Sequence, residues 1–242
     1  MKKGAAKQTN RWKTALFVLF AVVWIFCSVV VAQFLLGHLL IWTIGAERLS
    51  TPIWLGIYSL LTYLLAIGLS VYVLPKISKK WRTSREEMGL TSLPTWTDIG
   101  LSPIGFVASL ILAAGLTALF NLFPWFNAEE TQETGFSLYM NSSERIIAFI
   151  VLAVIAPVME EVIFRGWLYG KLRSRLGMIS AILITSVLFG VLHFQWNVGV
   201  NVFALSIVLC GLREVTGTIY AGILTHMIKN GVAFYLLYVL GI

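Results

Sequence analysis

Apolar runs long enough to cross a bilayer recur from one end of the chain to the other. A crossing helix needs about 20 predominantly apolar residues. Runs that meet or approach that length cover about 14–44, 52–74, 99–123, 144–169, 178–196, 198–212 and 216–242. Only 12% of the 242 residues are charged, against roughly 25% in a soluble domain. A disordered tail, a nucleic-acid-binding arm and an ordinary soluble enzyme are excluded. The expected fold is all-α, a polytopic transmembrane helical bundle of about seven helices and at most eight. Residues 1–242 read as a single integral membrane domain, with no repeat, low-complexity tract or linker.

The formal net charge of +7 follows from where the cations sit. Lys2, Lys3, Lys7, Arg11 and Lys13 precede the first run; Lys76, Lys79, Lys80, Arg82 and Arg85 follow the second; Lys171, Arg173 and Arg175 follow the fourth. The connection after the third run holds Glu129, Glu130 and Glu133 and no cation before Arg145. Basic and basic-poor segments alternate in step with the crossings, which puts the amino terminus in the cytoplasm and the carboxyl end outside. The partner implied by the basic residues is the lipid bilayer of the cell membrane, not nucleic acid. The first run is too long for the apolar core of a cleaved signal peptide, so it is a retained helix that must tilt or project. Cys27 and Cys210 both lie in apolar stretches and read as small buried hydrophobes.

The informative residues are polar ones inside the runs. An ionisable group at the bilayer centre costs about 2.5–3.5 kcal/mol, so Glu160 and Glu161 mark a site or a buried pair. Glu161 and Arg165 are four apart and share a helix face, which assigns Glu161 to an ion pair. Glu160 has no such partner and is free for other work. His193 falls in the fifth run and His226 in the seventh. Asn230 shares a face with His226, and Phe189 with His193. Lys229 is intramembrane as well; lining the same cavity, pairing with a glutamate and reaching elsewhere all remain open. By helix rise, Glu160 sits about 5 Å to the cytoplasmic side of its span's midpoint and His193 about 9 Å to the outer side of its own. Tilt, a kink or a shifted boundary must close that gap. One wet pocket holding Glu160, His193, His226 and Asn230 would suit attack of water on an amide, with a base for the water and donors for the oxyanion.

These motifs resemble a known family. Glu160-Glu161-Val-Ile-Phe-Arg165 fits the EExxxR motif of the CPBP intramembrane proteases, the group of the Rce1-type CAAX prenyl endopeptidase and the bacterial Abi proteins. Phe189-Gly-Val-Leu-His193 fits FxxxH, and His226-Met-Ile-Lys-Asn230 fits HxxxN. The order is right, and the resemblance covers residues 144–235, the expected catalytic core. It implies a membrane-embedded endopeptidase acting on a peptide precursor or membrane protein. By the same resemblance Glu160 activates water with help from His193, His226 and Asn230 stabilise the oxyanion, and Glu161, Arg165 and Phe189 support them. Peptide maturation and bacteriocin self-immunity are roles attached to the Abi branch.

A zinc version would use Glu160, His193 and His226 as ligands with an open fourth position. The chain has no HExxH helix, and zinc would occupy the glutamate needed as base, so the expected cofactor is none. Two non-proteolytic readings compete. An immunity factor or scaffold would use the bundle only to bind a partner. A transporter would show related halves, which the sequence lacks.

Overall fold

The computed structural model describes residues 2–130, 132 and 134–241, with side chains from residue 11 onward. Glu133 of the acidic connection and the side chains of Lys2, Lys3 and Lys7 lie outside the described residues. All regular structure among the described residues is helical. The long helices are α1 (Arg11–Ile44), α2 (Pro52–Ile77), α3 (Trp96–Phe120), α4 (Ser142–Arg173), a shorter apolar α5 (Met178–Val191), α6 (Trp196–Thr216) and α7 (Tyr220–Leu240). Six are long and apolar enough to cross a membrane, and α5 is the seventh. The chain is a multi-pass membrane bundle.

Local chemistry sets the helix ends. Proline at the first position opens α2, where its missing N–H is no loss. Reciprocal capping boxes open α3, through Thr95 and Asp98, and α4, through Asn141 and Glu144. Each satisfies two orphan N–H donors. Gly217, at φ 72°, closes α6 in the left-handed conformation that glycine adopts without strain.

Two boundaries differ from the hydropathy reading. The sixth helix is not short: it has 21 residues. The fifth is the short one, with 14, so it rises only about 21 Å against a core of about 30 Å. His193 therefore lies just beyond α5, in the turn to α6, and not within the span. The reason is local. The His193 ring donates from Nδ1 to the Phe189 carbonyl at 2.8 Å, and its backbone N–H reaches back only three residues, to Gly190. Phe194 then turns the chain with φ 55°. With the boundary shifted, His193 and Glu160 line one cavity, so the expected mismatch does not keep them apart.

Without a hydrophobic drive between helices in lipid, close packing and polar contacts hold a bundle together. α5 and α6 meet at Gly190 and Gly199, where a Cβ on Gly190 would lie 2.9 Å from the Gly199 carbonyl oxygen. α3 packs on α6 and α7, α4 on α2 and α7, and α1 on α2. Large apolar side chains such as Leu16, Leu35, Ile104, Ile111 and Val187 point outward, toward the acyl chains. Cys210 is buried as expected; Cys27 instead faces outward, because its position on α1 turns away from α2.

On the basic face the segment after α2 is pinned against the bundle. Lys171 is buried and donates to the Arg82 carbonyl at 2.5 Å and the Glu87 carboxylate at 2.9 Å. Arg213 donates to the Glu87 carbonyl. On the opposite face the segment after α3 lies over the ends of α6 and α7. Asn197 donates to the Glu130 carbonyl, Trp125 meets Trp196 edge-on, and Thr134 bonds Tyr238.

Candidate active site

α4 departs from a regular helix on both sides of the glutamate pair. Ile150–Ile155 and Val162–Tyr169 are π-helical, and the α-helical turn Ala156–Glu161 lies between them. Such wide turns are frequent at functional sites. Successive residues on a helix point about 100° apart, so the two glutamates face different surroundings.

Glu161 faces the dry interior. It and Arg165 are fully buried, with Nη1 donating to Oε1 at 2.8 Å. The expected pair is present, and it does more than expected. The same Oε1 accepts Nδ1–H of His226 at 3.0 Å. A carboxylate on one ring nitrogen fixes the tautomer and orientation of a histidine. His226 Nε2 is thereby turned toward Glu160, 3.8 Å from Oε2. Phe189 fills the space between these groups. Its ring lies edge-on to His193 and His226, at 5.1 and 5.9 Å between centroids. The Arg165 guanidinium lies 4.4 Å over its face.

Glu160 faces a cavity of about 380 Å³, whose lining also includes His193, His226, Lys229, Asn230 and Tyr63. The four residues expected to meet in one pocket do so. Glu160 is not unpartnered, however. Tyr63 of α2 donates its hydroxyl to Glu160 Oε1 at 2.6 Å, which leaves Oε2 free. A carbonyl can only accept, so the neutral His193 ring carries its proton on Nδ1, toward Phe189, and presents a lone pair at Nε2. Asn230 spends one amide N–H on the Leu152 carbonyl at 2.9 Å and keeps a second. That carbonyl belongs to a π-helical turn. Lys229 lines the cavity, the first of its three placements. Val29 and Gln33 of α1, and Gln132, Thr134 and Phe136 of the segment after α3, complete the wall.

Residues 142–232 match the family model described as type II CAAX prenyl endopeptidase Rce1-like. This segment is similar to that family's model over somewhat more than a third of the chain. It contains Glu160, Glu161, Arg165, Phe189, His193, His226 and Asn230, the residues that carried the resemblance. Over 177 residues the chain is 23% identical to "Putative membrane peptidase YdiL" of Bacillus subtilis (strain 168), covering 72% of this chain and 69% of that protein. No solved structure matches. Both likenesses support a membrane protease in general.

Zinc would require Glu160, His193 and His226 to close around one point. Oε1 of Glu160 is engaged by Tyr63. Among the described residues no group of three His, Cys, Asp or Glu side chains is arranged to hold a metal ion.

Proposed function

We propose that this protein is an intramembrane endopeptidase that hydrolyses a peptide bond in a peptide precursor or membrane protein with glutamate-activated water and no metal. One observation supports this reading above the others. Glu160 Oε2, His193 Nε2 and His226 Nε2 face a common cavity while their remaining polar atoms are tied to Tyr63, Phe189 and Glu161. A scaffold that merely packed these residues would not need each to keep one free polar atom on the same space.

The chemistry follows from those free atoms. Water between Glu160 and His193 gives one proton to Oε2 and a hydrogen bond to His193 Nε2. Its oxygen attacks the carbonyl carbon, and the carbonyl π electrons move onto oxygen. The second N–H of Asn230, and Nε2–H of His226 in its imidazolium form, are the donors for that oxyanion. Glu160 then passes its proton to the leaving nitrogen as the C–N bond breaks. The amino terminus faces the cytoplasm in this reading, and the settings it serves are peptide maturation or self-immunity to a bacteriocin.

The test is cleavage of a panel of quenched-fluorescent peptides by purified protein in liposomes. Glu160→Gln keeps the Tyr63 contact but removes the base, so cleavage falls by about 10²–10⁴-fold with an unchanged melting temperature. Cleavage at the wild-type rate by this variant overturns the assignment. A chelator leaves the wild type active; collapse that zinc reverses would instead establish the metal version.

A further inference from the structure

A groove on the basic face has no role in the reaction above. It measures about 710 Å³ and is lined by Lys13, Leu16, Phe17, Leu19, Phe20, Val23, Lys80 and Arg175. Its three cations come from three separate segments: the start of α1, the turn after α2 and the turn after α4. Arg175 lies 5.0 Å over the ring of Phe17, and Lys80 lies 5.3 Å over that of Trp81. Trp81 is buried and stacks on Phe17 at 4.4 Å, so the cationic heads rest on a fixed aromatic floor. No carboxylate lines the groove. On the same face Glu87 pairs with Lys171, and Glu214 with Arg173.

The polarity runs in one direction. Lys13 stands at the rim, and Leu16, Phe20 and Val23 continue down one face of α1 into the apolar zone. From Lys13 to Val23 the helix rises about 15 Å. Leu16, Leu19, Phe20 and Val23 are open to the outside. A ligand complementary to this surface carries a negative head for three unpaired cations and an apolar chain long enough to follow the helix. We infer that this groove is a specific binding site for one anionic phospholipid, with its phosphate among Lys13, Lys80 and Arg175 and an acyl chain along Leu16, Phe20 and Val23. Basic pockets between membrane helices hold lipid head groups by this chemistry.

The experiment is native mass spectrometry of the full chain in detergent, titrated separately with phosphatidylglycerol and with phosphatidylcholine of the same acyl chains. The wild type retains phosphatidylglycerol at least tenfold more tightly. The triple variant Lys13→Gln, Lys80→Gln, Arg175→Gln loses roughly 100-fold, at about fivefold per cation. A charge-matched control, Lys76→Gln, Lys79→Gln, Arg85→Gln, changes three exposed cations elsewhere on the same face and retains the lipid. Val23→Trp fills the groove, leaves the cations and weakens binding too. Equal retention of both lipids, an equal loss in the control, or full displacement by inorganic phosphate each overturns the proposal. The last outcome would mean a phosphate site rather than a lipid site.

Discussion

Replacing Glu161 with leucine separates what this residue does for stability from what it does for chemistry. In the wild type its Oε1 takes two charge-assisted hydrogen bonds, from Arg165 at 2.8 Å and His226 at 3.0 Å, and both Glu161 and Arg165 are sealed from solvent. Leucine leaves the guanidinium buried and uncompensated, which costs about 3–5 kcal/mol. The melting temperature falls on the order of 10 °C. Adding Arg165→Leu removes the stranded charge. Well-packed apolar replacements of a buried pair are commonly neutral or better, so the double variant returns to near the wild-type melting temperature. His226 still lacks the acceptor that aims its ring, so cleavage stays down by roughly 10²–10⁴-fold. Thermal unfolding followed by tryptophan fluorescence, beside peptide cleavage on the same preparation, reads both quantities. A double variant that regains cleavage with its stability refutes the idea that Glu161 positions His226. A single variant that melts like the wild type refutes the buried pair.

Three further changes test other parts of the argument. Tyr63→Phe removes the donor to Glu160 Oε1; a hydrogen bond to a charged group is worth about 1.5–3 kcal/mol, so kcat falls roughly 10- to 100-fold while KM and the melting temperature hold, as steady-state kinetics will show. Gly170→Ala drives a methyl into the Glu87 carbonyl and lifts the segment that Lys171 and Arg213 pin down. Thermal unfolding should report a loss of about 1–3 kcal/mol. Phe194 holds φ 55° with its side chain 68% exposed. Relief of left-handed strain, about 1 kcal/mol, leaves Phe194→Gly at least as stable as the wild type, whereas Phe194→Val melts lower.

The three motifs were legible because each sets two residues at i, i+4, at least one of them ionisable, on one face of an apolar run, a pattern that helix geometry makes meaningful. What the sequence concealed was which helices meet. Runs that are apolar nearly all round carry no stripe to orient them, so the approach of α2 to Glu160 could not be read. Tyr63 was missed for that reason. A signal existed: Ser59 and Tyr63 are four apart in the second run, and both line the cavity. His193 was placed inside a helix because hydropathy continues smoothly through residues 178–196. The chain turns there without proline, on a histidine that takes its own helix's carbonyl and a phenylalanine in the left-handed region.

The adjacent glutamates show how the helix itself divides the labour. Two neighbours about 100° apart cannot both reach one narrow cavity, and the π-helical turns on either side leave the six residues Ala156–Glu161 between them in regular α geometry. Glu160 comes out wet, with one oxygen anchored and one free. Glu161 comes out dry, and a dry carboxylate is tolerable only when charge and hydrogen bonds surround it. Arg165 supplies the charge and His226 the second bond. The same burial that makes Glu161 unsuited to handling water makes it a rigid support for the histidine that faces its neighbour. Exchanging the two roles would require turning α4 about its axis, and Arg165 would then leave its place over Phe189 and break the packing that spaces the two histidines.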